Sequence, residues 1–251
     1  MLSWFSAKCP VEAEDKEWLE DAFLWLIDEF GAKTLADLTV VLPTDEFFPD
    51  RYSSSEEDLR LLVNRVCNYM DVEPSRVELR FFTDRSNTLQ QHLPVFESRD
   101  KSALGTYRKE RGKYVISLEK WQANEPTNLI ATVAHELAHV RLLGEDRLDP
   151  DYEDGEPLTD LATVFFGLGI FTANSVFSFK QWRDAFSEGW KADRRGYLTE
   201  QMYGYALALF ARARGEMKPV WAKYLQGDSA VYFKTACRFL EKTGDTIIKK
   251  L

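Results

Sequence analysis

Apolar positions recur at helical spacing from Glu14 to Phe30. Trp18, Ala22, Trp25, Leu26 and Glu29 carry the period, and Leu19, Phe23 and Phe30 widen the apolar face before Gly31 ends it. The pattern then changes. Leu38-Thr39-Val40-Val41-Leu42 is a short β-branched run stopped by Pro43, which predicts a strand. Residues 45–55 read as a loop, with Ser54 or Ser55 capping a helix from Glu56 to Met70. Val77 to Phe82 reads as a second strand, and Asp84 to Lys101, which has no period, as a long loop. Leu104 to Arg108 and Lys113 to Leu118 form a hairpin pattern through Glu110-Arg111-Gly112.

Helical spacing dominates from there on. Pro126 opens a helix that stops at Gly144, and Pro157 opens another that continues through the apolar run Leu161 to Phe171. Further helices are expected over Phe179 to Arg194, Thr199 to Arg214, Pro219 to Leu225 and Ser229 to Lys242. Gly167 and Gly169 are expected to let their helix press against the one before it. The expected fold is α+β: a small mixed or antiparallel sheet, an adjoining pair of helices, and a helical C-terminal half. No linker rich in Gly, Ser or Pro interrupts the chain, so residues 1–251 are expected to form one unit. Its parts would be an α/β front (1–120), a central helical pair (121–178) and a helical end (179–251).

Composition narrows the classes of function. An apolar fraction of 45%, with seven Trp, ten Tyr and seventeen Phe, is ample for a packed core. A net charge of −9 argues against nucleic acid or an anionic membrane as the main partner. The longest apolar run is shorter than the ~20 residues of a membrane span, and Thr163, Thr172, Asn174 and Ser175 interrupt it towards Phe177. The N-terminus lacks a basic stretch followed by an apolar one, so no signal peptide is expected. Cys9, Cys67 and Cys237 form no C-x-x-C pair and read as free thiols in a reducing cytoplasm.

The chain has three histidines, and two of them stand in His135-Glu136-Leu137-Ala138-His139. On a helix, residues four apart share a face, so both imidazoles can reach one metal ion, and Glu136 can act on a water held there. Leu129, Ile130, Val133, Ala134, Leu137, Ala138 and Val140 make the same helix apolar almost all round. Burying two imidazoles and a carboxylate in it costs several kcal/mol unless they are paired or bind a metal. A catalytic zinc usually takes three protein ligands. No histidine follows His139, so the third must be another donor. Candidates are Glu145, Glu156 and Asp160, with Glu156 favoured at the start of a helix held by Pro157. Asp160, one turn on, can instead accept the free ring N–H of a ligand histidine.

The string from His135 to His139, followed by Glu156-Pro157-Leu158-Thr159-Asp160, resembles the gluzincin branch of the zincin metallopeptidases. The resemblance covers about residues 113–175. It implies a zinc peptidase acting on a peptide or protein, with His135, His139 and Glu156 as ligands, Glu136 as general base and Asp160 orienting a histidine. It also implies an edge strand, here Lys113 to Leu118, that aligns an extended peptide. The electrophilic side chain such enzymes place on a later helix would fall to Tyr197 or Tyr203, with Tyr205 a further candidate. The metzincin pattern is not met, because Leu142 and Glu145 stand where it needs Gly and His.

Other readings stay open. The motif can belong to a zinc-stabilised interaction module without turnover, or to a regulatory protease that cuts one partner. His92 reads as a loop residue. The acids Asp146, Asp149, Asp151, Glu153 and Asp154 lack the ordered spacing of a calcium loop and read as a solvated segment.

Overall fold

The computed structural model describes residues 7–82, 105–184, 197–216 and 218–251, with the backbone alone over 177–184. Its helices are α1 (Ala13–Phe30), α2 (Ala32–Asp37), α3 (Glu56–Tyr69), α4 (Pro126–His139), α5 (Gly155–Phe165), α6 (Gly169–Asp184), α7 (Glu200–Ala213) and α8 (Gly227–Thr243). Its strands are β1 (Val77–Phe82), β2 (Gly105–Glu110) and β3 (Lys113–Glu119). The class is therefore mixed helix and sheet, with helix predominating. The expected loop over Asp84 to Lys101, His92 within it, and the end of the helix expected to reach Arg194 lie outside the described residues. Among the described residues no helix is long and apolar enough to cross a membrane.

Contacts divide the chain into two compact units. One comprises Pro43–Pro150 and Phe177–Lys191 and holds the sheet. Its α3 starts at Ser55, whose hydroxyl accepts the Asp58 N–H at 3.1 Å, while the Asp58 carboxylate reaches back to the Ser55 N–H at 3.2 Å. This reciprocal cap satisfies two N–H groups that a helix start leaves unbonded. The strand order is β1-β3-β2, parallel between β1 and β3 and antiparallel between β2 and β3. Arg111 and Gly112, at φ 48° and 80°, close the hairpin, and both positive angles suit a two-residue turn.

The central strand is β3, bonded on both sides. This corrects the expected edge strand: Lys113 to Leu118 already spends its backbone N–H and C=O groups on two neighbours and offers no free edge to a peptide. The burial of Tyr114, Val115, Ile116 and Leu118 follows from that central place. α4 packs near β2 and α3. Pro126 takes its first position, where a missing N–H costs nothing. Every residue from Leu129 to Ala138 is buried, so the helix that is apolar all round is also covered all round.

The second unit, Met1–Leu42, Asp151–Val176 and Ala192–Leu251, is helical. In α1 the buried stripe is Leu19, Phe23, Leu26 and Ile27, whereas Trp18 and Trp25 flank it and Glu29 is exposed. Full burial of such side chains stabilises by about 1.5–3 kcal/mol each. α1 packs on α5 and α7, and α7 on α8. Gly204 permits the last approach, since a Cβ there would lie 2.8 Å from the Phe233 backbone nitrogen.

The expected strand at Leu38 to Leu42 is not formed. Leu38 is extended, but the Val41 N–H donates to the Gly167 carbonyl at 3.0 Å and the Leu38 carbonyl accepts from Arg214 at 2.8 Å. Helices, not a sheet, satisfy it. The expected single helix through the apolar run is also broken. Gly167, at φ 79°, separates α5 from α6, and its open face receives Leu38 and the Thr39 carbonyl. Gly169 instead makes room for Val164 and Leu207. Pro219 to Leu225 forms only a short 3-10 turn, Val220–Tyr224.

Two outcomes follow from these local geometries. Gly167→Ala is expected to destabilise the protein by roughly 1–3 kcal/mol in a urea titration, because a Cβ would sit 2.9 Å from the Thr39 carbonyl oxygen at a positive φ. Hydrogen bonds from Ser53 and Ser55 hold the Asp58 carboxyl down at about 2. Its stabilising effect is present above the unfolded value of about 3.9 and is lost as pH falls towards 2. The unfolding midpoints of wild type and Asp58→Asn should therefore converge across that interval.

Candidate metal centre

The candidate ligands His135 and His139 sit at the C-terminal end of α4. His135 and His139, one turn apart, bring their ring centroids to 4.9 Å with planes at 87°. His135 is 9% exposed and Glu136 5%, while His139 is half-buried. Glu156 occupies the second position of α5 and is half-buried. One donor atom each from His135, His139 and Glu156 lie within 4.8 Å of one another, and among the described residues this is the single group of that kind. Any three points so spaced share a position no more than about 2.8 Å from each (4.8 Å divided by √3). Zinc bonds to nitrogen and oxygen are about 2.0–2.2 Å, somewhat shorter than that.

After His139 the chain does not simply stop. Val140–Gly144 forms a π-turn, a form that concentrates at functional sites. Two anchors hold it. Arg141 is buried and donates to the Met70 and Asp71 carbonyls, each at 2.8 Å, at the end of α3. On the other flank the Gly144 carbonyl accepts from Lys109 Nζ at 3.0 Å and from the Tyr114 hydroxyl at 3.3 Å. Gly144 must lack a side chain here: a Cβ would lie 2.7 Å from the Tyr114 ring and 2.9 Å from the Tyr107 hydroxyl. Tyr107 in turn lays its ring against His139, with centroids 6.1 Å apart and planes 18° from parallel. Burial, with Tyr114 and Asp146 adding to it against Arg76, pushes the Tyr107 hydroxyl up to about 12, so it stays protonated.

Sequence reasoning did not single out Tyr107. The alternation along β2 puts Tyr107 and Lys109 on one face, and the hairpin register pairs them with Ile116 and Tyr114. What no local pattern shows is that this face meets α4.

No protein-family model, curated protein or solved structure matches this chain.

The remaining candidates are placed as follows. The Asp160 carboxylate accepts the Leu198 N–H at 2.9 Å and also hydrogen-bonds the Tyr203 hydroxyl. Tyr203 is fully enclosed. Burial first, and then the Asp160 charge, raise its hydroxyl well above the usual range. Tyr197, next to Leu198 in the chain, is 38% exposed. Tyr205 is buried and donates to Glu20 at 2.6 Å. Glu145 faces two guanidinium groups, Arg141 at 3.1 Å and Arg147 at 2.9 Å, which bind it as an ion-pair partner. In the acidic loop Asp154 accepts from the Trp18 indole at 3.1 Å. The cysteines are free, and burial lifts Cys67 to about 12 and Cys237 to about 11, which keeps them from acting as thiolate donors.

The geometry ranks the oxygen donors. Glu156→Gln should weaken zinc binding by about tenfold or more, whereas Glu145→Gln should leave it unchanged, in titrations against a chromophoric chelator. The reverse order would move the third donor into the loop.

Proposed function

We propose that this chain is a zinc-dependent hydrolase of peptide bonds, acting on a peptide or protein. The observation that carries the reading is the convergence of two imidazoles and one carboxylate, the donor set that suits zinc. Bound zinc supplies a Lewis acid and lowers the pKa of a water to about 7.

The side chains then have distinct work. His135 and His139 offer ring nitrogens, and Glu156 offers a carboxylate oxygen. Glu136, adjacent to His135 and withdrawn from solvent, accepts the proton of the attacking water on its carboxylate and returns it to the departing amine. Asp160, expected to orient a ligand histidine, holds the Leu198 N–H and the Tyr203 hydroxyl. Tyr203 and Tyr197 are the candidate donors to the developing oxyanion. The enclosure of Tyr203 against Asp160 and Thr172 favours a supporting role for it, which leaves the exposed Tyr197 for that task. The family this reading points to is the gluzincin-like zincins.

A second reading has one observation in its favour. The strand expected to align substrate, β3, is paired on both sides. A zinc-stabilised module without turnover needs no such strand. A protease confined to one partner protein also fits the absence of a generic peptide edge at β3.

Elemental analysis and activity assays separate these. Wild type should carry about one equivalent of zinc, His139→Ala far less. Glu136→Ala should keep the metal and lose roughly 10²–10⁴-fold in turnover on a cleaved peptide. Equal zinc in wild type and His139→Ala would end the proposal. Zinc loss in Glu136→Ala would make that carboxylate a ligand. A metal-loaded wild type inert towards peptide libraries and co-purifying proteins would favour the module.

A further inference from the structure

The sheet-bearing unit carries a cavity of about 260 Å³ between the loop ahead of α3, α3 itself and the start of α4. Its base is apolar: Leu62 and Ile130 are buried and Phe48 is half-buried. The loop that walls it is fastened along its length. The Tyr69 ring meets Phe47 and Phe48, with centroids 6.0 and 5.9 Å away. Arg65 donates to Asp50 through Nε at 3.1 Å, which ties the loop to α3. The Tyr52 and Ser54 hydroxyls donate to the Ala123 carbonyl at 2.8 and 2.9 Å. The wall is thus set in place before any ligand arrives, which lowers the ordering cost of binding.

Five charged side chains line the cavity, and three of them are committed elsewhere. Asp50 and Arg65 neutralise each other, and the Asp58 carboxylate is taken by Ser53 and Ser55 at the head of α3. Asp45 and Arg51 remain. Both are exposed, and among the described residues neither makes a hydrogen bond or an ion pair, with the other or with a third group. One negative and one positive charge therefore border an apolar base without cancelling. A complementary ligand carries both charges itself, together with an apolar body. We propose that this cavity binds a free amino acid with an apolar side chain: its carboxylate on the Arg51 guanidinium, its ammonium on the Asp45 carboxylate, and its side chain against Phe48, Leu62 and Ile130. The volume equals about nine waters at roughly 30 Å³ each, which suits a single amino acid and not a peptide of several residues. The inference is independent of the zinc-site reading, since Pro126 and Ile130 belong to the start of α4 and His135 and His139 to its other end.

Ligand-observed NMR titrations of the full chain test it, with L-leucine as the probe. Wild type should bind L-leucine saturably, with a Kd of about 1 mM or lower. L-leucinamide lacks the carboxylate and N-acetyl-L-leucine lacks the ammonium, and both keep the side chain; they also stand for the first and last residue of a peptide. Each should bind about three- to tenfold more weakly than L-leucine. Arg51→Met should weaken L-leucine by a similar factor and leave L-leucinamide unchanged. Asp45→Asn should weaken L-leucine and leave N-acetyl-L-leucine unchanged. His139→Ala should bind L-leucine as wild type does. The absence of saturable binding up to about 10 mM would overturn the inference. Equal affinity for L-leucine and either analogue would also overturn it, because the site would then read a peptide end. Loss of L-leucine binding in His139→Ala would place the amino acid at the candidate metal ligands and would end the proposal for this cavity.

Discussion

Ten consecutive residues of α4, Leu129 to Ala138, are withdrawn from water, and two of them are a histidine and a glutamate. Apolar neighbours can solvate neither group, and burial of such groups costs several kcal/mol unless hydrogen bonds, charges or a metal compensate. The rest of the sheet-bearing unit follows from holding that helix in place. β3 runs through the centre of the sheet with its side chains buried, α4 packs near β2, and Arg141 ties the turn after His139 to the end of α3. Gly144 is the pivot, because only a residue without a side chain lets two tyrosines close over the helix end.

The helical unit uses buried polar groups differently. There they act as crosslinks to backbone that has no regular partner. Glu20 takes the Tyr205 hydroxyl, the Ile247 N–H and, at 3.3 Å, the Lys16 ammonium, so one carboxylate joins α1, α7 and the C-terminal segment. Asp160 does the same for the Leu198 N–H ahead of α7. Arg214 collects the Leu35 and Leu38 carbonyls at 2.6 and 2.8 Å. Each group is charged and mostly enclosed, and each satisfies main-chain atoms that no helix or strand would otherwise bond.

Ligand candidates stand at helix ends, Glu156 at the start of α5 and His139 at the close of α4, where side chains project clear of their own helix. Tyr107, Lys109, Tyr114 and Arg141, which surround the turn after His139, come from the antiparallel pair β2 and β3 and from the π-turn itself. Precision at a metal centre depends on such support, because a ligand that wanders by an ångström loses much of its affinity.

Local sequence was enough wherever local forces decide. The capping serine before α3, Pro126 at the start of α4, the Arg111-Gly112 turn and the helical period of α1 all act through neighbours within a few residues, and all are formed as their residues dictate. The same holds for the pairing of His135 and His139 on one helix face. Tertiary structure decided the rest. The β-branched run at Leu38 found helices instead of a sheet, because strand propensity is a preference for a pleated, half-buried surface and none is offered there. Lys113 to Leu118 became a central strand because β1 pairs with its free side, a non-local event that no window of residues contains. The approach of Glu156 to two histidines, and of Tyr107 to one of them, depends on how separate elements pack. Packing is set by the shapes of side chains distant in the chain, and so it leaves no period to read.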